Sequence, residues 1–381
     1  MKTVNGIYTS AQIFAETIED YALAQIQMLC DHPASAGSRI CIMPDVHPGI
    51  PGPVGLTQTI HDRILPAMVG SDIGCGISLI KIKQKKLEFG QLDALIRERI
   101  PTGPAIHQNP HRLSGEFDHT HLYCCRHINR EKAMLSLGSL GGGNHFIEAG
   151  RDEDGNLYLI VHSGSRHLGK EVTDHYMRAG SRQLKENHPG TPYLLTWLTG
   201  ELMEQYLHDI SLITDFAALN REIILAELIK GMKLKVTDRI SCIHNYIDRL
   251  PEDAERPDKA PTGILRKGAI SANAGEPLII PVNMRDGVIL ATGKGNADWN
   301  YSAPHGSGRI LARNEVKNRY SVSNFKAEMT QIHCTCINAD TLDESPFAYR
   351  AADEIIRAIE PTAAVTKLIK PVYNYKAGSR K

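Results

Sequence analysis

The chain has 381 residues, 42% of them hydrophobic and 23% charged, which is enough to bury a large core. Forty-three basic side chains balance 43 acidic ones, so there is no global positive field and any polyanion must be held by a local groove. No apolar run approaches the roughly 18 residues of a membrane span, the N-terminus lacks the apolar core of a signal peptide, and the cysteines show no repeated framework, so the expectation is a cytoplasmic protein with no membrane association.

From an N-cap at Ser10, residues Ile13, Phe14, Ile18, Tyr21, Ala22, Ile26 and Leu29 recur at helical spacing until His32-Pro33 stops them, which predicts a helix. Arg39 to Met43, Ile77 to Ile82 and Leu157 to Val161 are short apolar or alternating runs bounded by Gly, Pro or Asp and predict strands. Lys81, Lys83, Lys85 and Lys86 mostly alternate, as on a solvated face. Thr191 to Lys230 is mostly helical in pattern, with Ala217, Ala218, Ile223, Ile224 and Leu228 on one stripe ending at Gly231. Leu278 to Val282 and Val288 to Ala291 predict paired strands around the Arg285-Asp286-Gly287 turn, Pro251 to Pro261 a loop, and Ala351 to Glu360 a late helix. With no repeat and no clean boundary, one mixed α/β (α+β) domain over residues 1–381 is the simplest organisation.

The chemistry concentrates in glycine-rich corners. GSDIGCG, Gly70 to Gly76, sets Asp72 and Cys75 three residues apart, so a carboxylate and a thiolate can face one cation. MPDVHPGIPGPVG (43–55), LGGGNHFIE (140–148), VHSGSR (161–166) and NYSAPHGSGR (300–309) each put a histidine beside small residues, and His244 stands in CIHNY. Oxygen, nitrogen and sulfur ligands together suit Mn, Fe, Co or Zn better than Mg or Ca. The set exceeds what one tetrahedral ion needs, so either two metals share a thiolate or one histidine does other work. The turns around Asn144-His145, Ser163 to Arg166 and His305 to Arg309 also expose backbone N–H groups beside polar donors, which suits phosphate. Cys124-Cys125 and His333-Cys334-Thr335-Cys336 lack partner pairs at zinc-finger spacing and are expected to be ordinary thiols.

In order, MPDVHPGIPGPVG, VGSDIGCG, GGGNHFIE, VHSGSR, AALNR, CIHNY, RKGAIS, GKGNADWNYSAPHGSGR and PVYNYKAG resemble the motifs of the RtcB family of RNA-splicing ligases, from about residue 40 to the C-terminus. The resemblance implies a single-domain fold around a central metal-lined cleft. It also implies GTP-dependent joining of RNA 3′-phosphate or 2′,3′-cyclic phosphate ends to 5′-hydroxyl ends, with Mn(II), as in RNA repair or tRNA processing. On that reading His305 is the nucleophile that becomes a histidine-GMP adduct, and Asp45 fixes its tautomer. Asp72, Cys75, His145, His162 and His244 hold the metal, two Mn(II) ions bridged by Cys75. Asn144, Glu148, Asn245, Ser271, Asn283 and Lys376 contact the nucleotide, and Arg166, Arg266, Lys267 and Arg309 contact RNA or nucleotide phosphates.

The chain departs from the family at Pro281-Val-Asn283-Met-Arg285, where a PGSMG-like turn is usual, and at His167, where glycine commonly follows SR. The departures suggest a divergent, somewhat shorter branch that repairs a particular broken RNA. Two competing readings use much of the same set: a metal-dependent phosphodiesterase acting on cyclic phosphate, without a guanylylated histidine, and a noncatalytic RNA-binding relative.

Overall fold

The computed structural model describes residues 2–249 and 261–377, so the expected loop at Pro251 to Pro261 lies almost wholly outside the described residues. In chain order its strands are β1 (Lys2–Asn5), β2 (Ser10–Ile13), β3 (Ile40–His47), β4 (Val54–Ile60), β5 (Gly76–Ile82), β6 (Phe146–Arg151), β7 (Leu157–Ser163), β8 (Val236–Ile243), β9 (Asn245–Arg249), β10 (Gly263–Lys267), β11 (Ala269–Ser271), β12 (Pro277–Asn283), β13 (Gly287–Gly293), β14 (Ser302–Pro304) and β15 (Ala363–Lys376). The helices are α1 (Asp20–Cys30), α2 (Pro66–Val69), α3 (Phe89–Arg99), α4 (Arg130–Ser136), α5 (Arg166–Leu184), α6 (Gly200–Gly231), α7 (Arg313–Arg319), α8 (Val322–Glu328) and α9 (Ala352–Ala358). The mixed α/β class expected from the sequence is the class observed.

A six-stranded sheet runs β1-β2-β3-β4-β10-β9, a seven-stranded sheet runs β12-β13-β15-β6-β7-β5-β8, and β11 pairs with β14. The first sheet packs Ile40, Ile42, Leu56 and Leu265 against Ile26 and Leu29 of α1 and the apolar faces of α5 and α6. The second buries Ile80, Ile147, Leu159 and Val161 against Leu92 and Ile96 of α3 and Ile224, Leu225 and Leu228 of α6. Helix α6 therefore serves both cores, and its long apolar stripe is the reason it can run 32 residues.

The predicted first helix is corrected at its start. Residues Ser10–Ile13 form a strand, parallel to β3 and antiparallel to β1, and the helix begins at Asp20. Ala11 and Ile13 are buried while Ser10 is exposed and Gln12 only partly buried, so the period there is two and not 3.6. The helix predicted from Thr191 is corrected too: Tyr193–Leu195 is a separate 3₁₀ turn and the long helix begins only at Gly200, while the remaining predicted strands and the late helix fall within a few residues of the observed ones. No helix among the described residues is long and apolar enough to cross a membrane.

Register fixes where the polar corners go. In the second sheet His162 of β7 stands opposite Ile77 of β5 and Phe146 of β6, and Gly76 stands opposite Ile243 of β8. Cys75 precedes β5, His145 precedes β6 and His244 follows β8, so these residues arrive with His162 at one end of four neighbouring strands.

Candidate metal centre and adjoining cavity

The corner Gly70 to Gly76 needs its glycines. Gly74 has φ +70°, and a Cβ there would come within 2.7 Å of Thr214 Cα on α6, so the loop lies directly on the helix. Gly164 is as constrained, since a Cβ would sit 2.2 Å from Asp72 Oδ1. The Ser165 N–H donates to that oxygen at 3.0 Å. Beneath the loop, Arg221 of α6 is fully buried and donates to the carbonyls of Gly74 and Ser163 at 2.8 and 3.0 Å and to Ser78 Oγ at 3.2 Å. Asn220 beside it donates to the Gly164 carbonyl and accepts the Gly138 N–H. Two adjacent polar residues on a helix stripe thus tie the loop to the end of β7.

The side chains so held converge. Cys75, His162 and His244 form one group, and Asp72, Cys75 and His145 another, with ligand atoms within 4.8 Å of one another and Cys75 common to both. Cys75 Sγ lies 3.4 Å from His145 Nε2 and 3.3 Å from His162 Nε2. His145 Nε2 is 3.0 Å from Asp72 Oδ2, and His162 Nε2 is 3.3 Å from His244 Nε2. The Nδ1 atoms of His145 and His162 face the carbonyls of Leu140 and Asn144 at 2.8 and 3.1 Å. A proton on each Nδ1 satisfies those carbonyls and leaves Nε2 lone pairs pointing inward.

Burial, then the neighbouring histidines, holds His162 and His244 well below the usual imidazole range, so both rings are neutral. Burial and the Asp72 charge push the Cys75 thiol up. Burial also raises Asp72, but the hydrogen bond and charge of His145 outweigh it and hold the carboxyl at about 2. A carboxylate, imidazole nitrogens and a sulfur, all facing one another, fit a cation that would displace the thiol proton on binding, and their mixed chemistry fits a transition metal.

His305 follows β14 and completes the corner from the first sheet's side. Its Nδ1 meets Asp45 Oδ2 of β3 at 2.7 Å, which leaves Nε2 free, and its ring lies 4.9 Å from that of His244. Asp45 is fully buried and also accepts the Gly306 N–H at 3.2 Å. His47, two residues along β3, stacks toward His305 at 6.4 Å; burial lowers it to about 4, so it too is neutral.

From His305 and His162 a cavity of about 280 Å³ extends along Asn144, Phe146, Glu148, Asn374 and Lys376 on one wall and Arg309, Arg313, Glu344 and Tyr349 on the other. Glu148 is buried, accepts Asn374 Nδ2 at 2.8 Å through one oxygen and has no partner on the other. Burial pushes it up to about 8, against the pull of Asn374 and Lys376. Glu344 is buried too, yet Lys376 at 2.6 Å, Arg313 at 2.5 Å and Arg309 at 3.3 Å hold it down at about 2 despite the desolvation. Tyr349 donates to it at 2.6 Å.

Thus Asp72, Cys75, His145, His162 and His244 come together, with His305 and Asp45 beside them and Asn144, Glu148, Asn283, Lys376 and Arg309 around the cavity. Other sequence-selected residues stand elsewhere or are occupied. Asn283 lines the cavity, but its amide oxygen accepts from the Arg285 and Asp286 N–H groups and its Nδ2 donates to Asp286. Asn245 is a tie: its Nδ2 reaches the Asp72 carbonyl at 3.3 Å and its Oδ1 accepts the Gly268 N–H at 2.9 Å. Ser271 donates to Glu276 at 2.5 Å in a separate depression beside Tyr246 and Asp248. Arg266 is fully buried on Ser302, Tyr246 and Asp248. Lys267 is buried on the Ile50 carbonyl at 3.1 Å, and burial lowers it to about 8. Arg166, with φ +57°, donates to Ser139 Oγ and to the Gly103 carbonyl behind Asp72. The cavity residues Arg313, Glu344, Tyr349 and Asn374, and the ties Asn220 and Arg221, had no role assigned from the sequence. The signal for the last two was a polar pair inside the apolar stripe of α6.

Fold and site together define a mixed α/β protein with a cysteine-centred group able to hold metal, opening onto a polar cavity. A family model described as "tRNA-splicing ligase RtcB" matches residues 25–121 and 105–377, and the chain belongs to the RtcB family. It is 27% identical over 373 residues to "RNA-splicing ligase RtcB" of Escherichia coli (strain K12), covering 89% of this chain and 88% of that protein. "RNA-splicing ligase RtcB2" of Escherichia coli (strain ATCC 25922) is 27% identical, with 96% and 94% covered, and "tRNA-splicing ligase RtcB" of Nanoarchaeum equitans is 24% identical, with 92% and 90% covered.

Proposed function

We propose that the protein is a GTP- and Mn(II)-dependent RNA ligase that joins RNA 3′-phosphate or 2′,3′-cyclic phosphate ends to 5′-hydroxyl ends through a histidine-GMP intermediate, in RNA repair or tRNA processing. The observation that carries the reading is His305, whose Nδ1 is engaged by buried Asp45 at 2.7 Å while its Nε2 stays free between the metal-capable group and the cavity. The names of the relatives supply the substrate class, RNA, and the reaction class, ligation.

On this reading the lone pair of His305 Nε2 attacks the α-phosphorus of GTP, an N–P bond forms, the α–β P–O bond breaks and pyrophosphate leaves. Asp45 holds the proton on Nδ1 and stabilises the cationic ring as the bond forms. An oxygen of the RNA 3′-phosphate then attacks the guanylate phosphorus and releases His305. The 5′-hydroxyl attacks the activated RNA phosphorus, loses its proton, and GMP departs. A cyclic phosphate is first hydrolysed to the 3′-phosphate. Asp72, Cys75, His145, His162 and His244 would hold the metal, Cys75 belonging to both groups of ligands, and the metal would supply positive charge to offset the phosphates. Glu148 and Lys376 recognise the guanine nucleotide with Asn144, and Arg309 faces phosphate. Asn283 shapes the cavity wall, while Asn245, Arg166, Arg266 and Lys267 hold the surrounding backbone and side chains in place, and Ser271 stands apart in its own depression.

Incubation with Mn(II), GTP and a labelled RNA pair tests the proposal. Sealed product is expected only when GTP is present and one RNA end bears 3′-phosphate or cyclic phosphate and the other 5′-hydroxyl. Conversion of cyclic phosphate to 3′-phosphate with no sealing would favour the phosphodiesterase reading, and RNA retention with no conversion the noncatalytic one.

A further inference from the structure

We infer that Cys334 and Cys336 form a reversible intramolecular disulfide, and that closing it loosens the cavity around Lys376 and Glu344. The two sulfurs lie 3.2 Å apart across Thr335, outside both metal-capable groups. Cys334 is half-buried and lines an open depression with Phe89, Arg151 and His333, which gives a small oxidant a path to it. Cys336 lies behind it, 6% exposed. Their shared hydrogen bond holds the Cys336 thiol below its ordinary range and pushes Cys334 up, so Cys336 is the readier thiolate of the pair.

The connection to the cavity is direct. Cys336 Sγ accepts the Lys376 N–H at 3.2 Å, and its carbonyl accepts the Thr341 hydroxyl at 2.5 Å. Lys376 Nζ is the 2.6 Å partner of Glu344, three residues beyond Thr341. A disulfide sets the sulfurs about 2.05 Å apart, so they approach by roughly 1 Å, and Cys336 turns from the N–H it now accepts. The strand end carrying Lys376 and the loop carrying Glu344 both hang on that residue.

The step balances with a low-molecular-weight disulfide as oxidant. Cys334, the member the oxidant can reach, gives up its proton as its sulfur attacks one sulfur of the oxidant, forming a mixed disulfide, and the displaced sulfur takes a proton and leaves as a thiol. Cys336 thiolate then attacks Cys334 Sγ, the internal S–S bond forms and the second thiol leaves. Two cysteine S–H bonds are lost, and two S–H bonds appear on the reduced oxidant.

The consequence for GTP rests on the proposed function; the disulfide does not. The test treats the full chain with glutathione disulfide, alkylates the remaining thiols and weighs the tryptic peptide 327–350, which holds both cysteines. The peptide is expected two hydrogens lighter and unalkylated, and restored by dithiothreitol. Uptake of α-labelled GTP should fall reversibly by roughly tenfold or more, as for a misplacement of about 1 Å, and Cys334→Ser should keep its uptake under the same treatment. A peptide that remains alkylated, a disulfide that leaves uptake unchanged, or equal loss in Cys334→Ser, which would point to another thiol such as Cys75, each overturns the inference. Should reduced protein take up no GTP, hydrogen exchange over residues 336–349 decides the coupling. Reversible acceleration on oxidation supports it and unchanged exchange overturns it.

Discussion

Replacing Asp45 by Asn exchanges one carboxylate oxygen for an amide group at a fully buried position and changes little else. Oδ2 holds His305 Nδ1 at 2.7 Å and the Gly306 N–H at 3.2 Å, while Oδ1 has no partner. The amide oxygen can keep both contacts, so what is lost is charge. A charge-assisted bond contributes about 1.5–3 kcal/mol and a neutral one about 0.5–1.5 kcal/mol. The difference of roughly 1–2 kcal/mol falls on the state in which His305 becomes cationic, which is about 5- to 30-fold in rate. Weaker control of the tautomer lengthens that to as much as about 10³-fold. Folding should barely respond, within about 1 kcal/mol, because a half-satisfied buried charge is exchanged for a half-satisfied amide. Single-turnover labelling with α-labelled GTP and Mn(II), alongside urea unfolding, measures both quantities. A labelling rate within twofold of the parent, or a rate loss matched by loss of fold, refutes the reasoning.

Arg221→Met should remove three buried hydrogen bonds beneath the Gly70 to Gly76 loop and cost about 2–4 kcal/mol; urea unfolding and metal content per chain should both fall, and unchanged metal content would contradict the positioning role. Glu148 binds a proton in the folded state up to about 8 against an ordinary 4.5, so the folded chain holds more protons than the unfolded one in that window and stability drops as pH rises through it. Glu148→Gln should flatten that slope between pH 5 and 8 in thermal unfolding, and should abolish a fall in the KM for GTP that the parent shows as pH rises through about 8. Asp209 is fully buried and accepts from the Tyr123 and Cys124 N–H groups and from Tyr176 Oη at 2.7 Å; Asp209→Ala should cost about 3 kcal/mol in chemical unfolding with guanylylation per folded molecule unchanged.

How far the sequence reaches depends on what each residue does. Asp72, Cys75, His145 and His162 were legible because glycine corners after apolar runs announce strand ends, and the register of β5, β6, β7 and β8 then brings those ends together. Residues that serve by holding backbone were not. Arg221 and Asn220 lie inside a helix stripe, where a polar side chain leaves no mark of which loop it meets. Glu344 and Tyr349 come from a segment without histidine or paired glycines, and only the folded chain sets them against Lys376 from the end of β15. Arg266 reads as a free cation beside Lys267, yet adjacent residues of a strand face opposite sides, and its side is closed by Tyr246 and Ser302. Ser10 failed for a local reason: an alternating tetrad next to a true helix extends the apparent helical stripe.

The central claim is that His305 carries GMP. Incubating the full chain with Mn(II) and α-labelled GTP, then mapping the label by peptide mass, tests it most directly. The expected result is an acid-labile, alkali-stable guanylate on the peptide containing His305, absent from His305→Ala and released when RNA bearing a 3′-phosphate is added. No label, label elsewhere, or equal label in His305→Ala would contradict it.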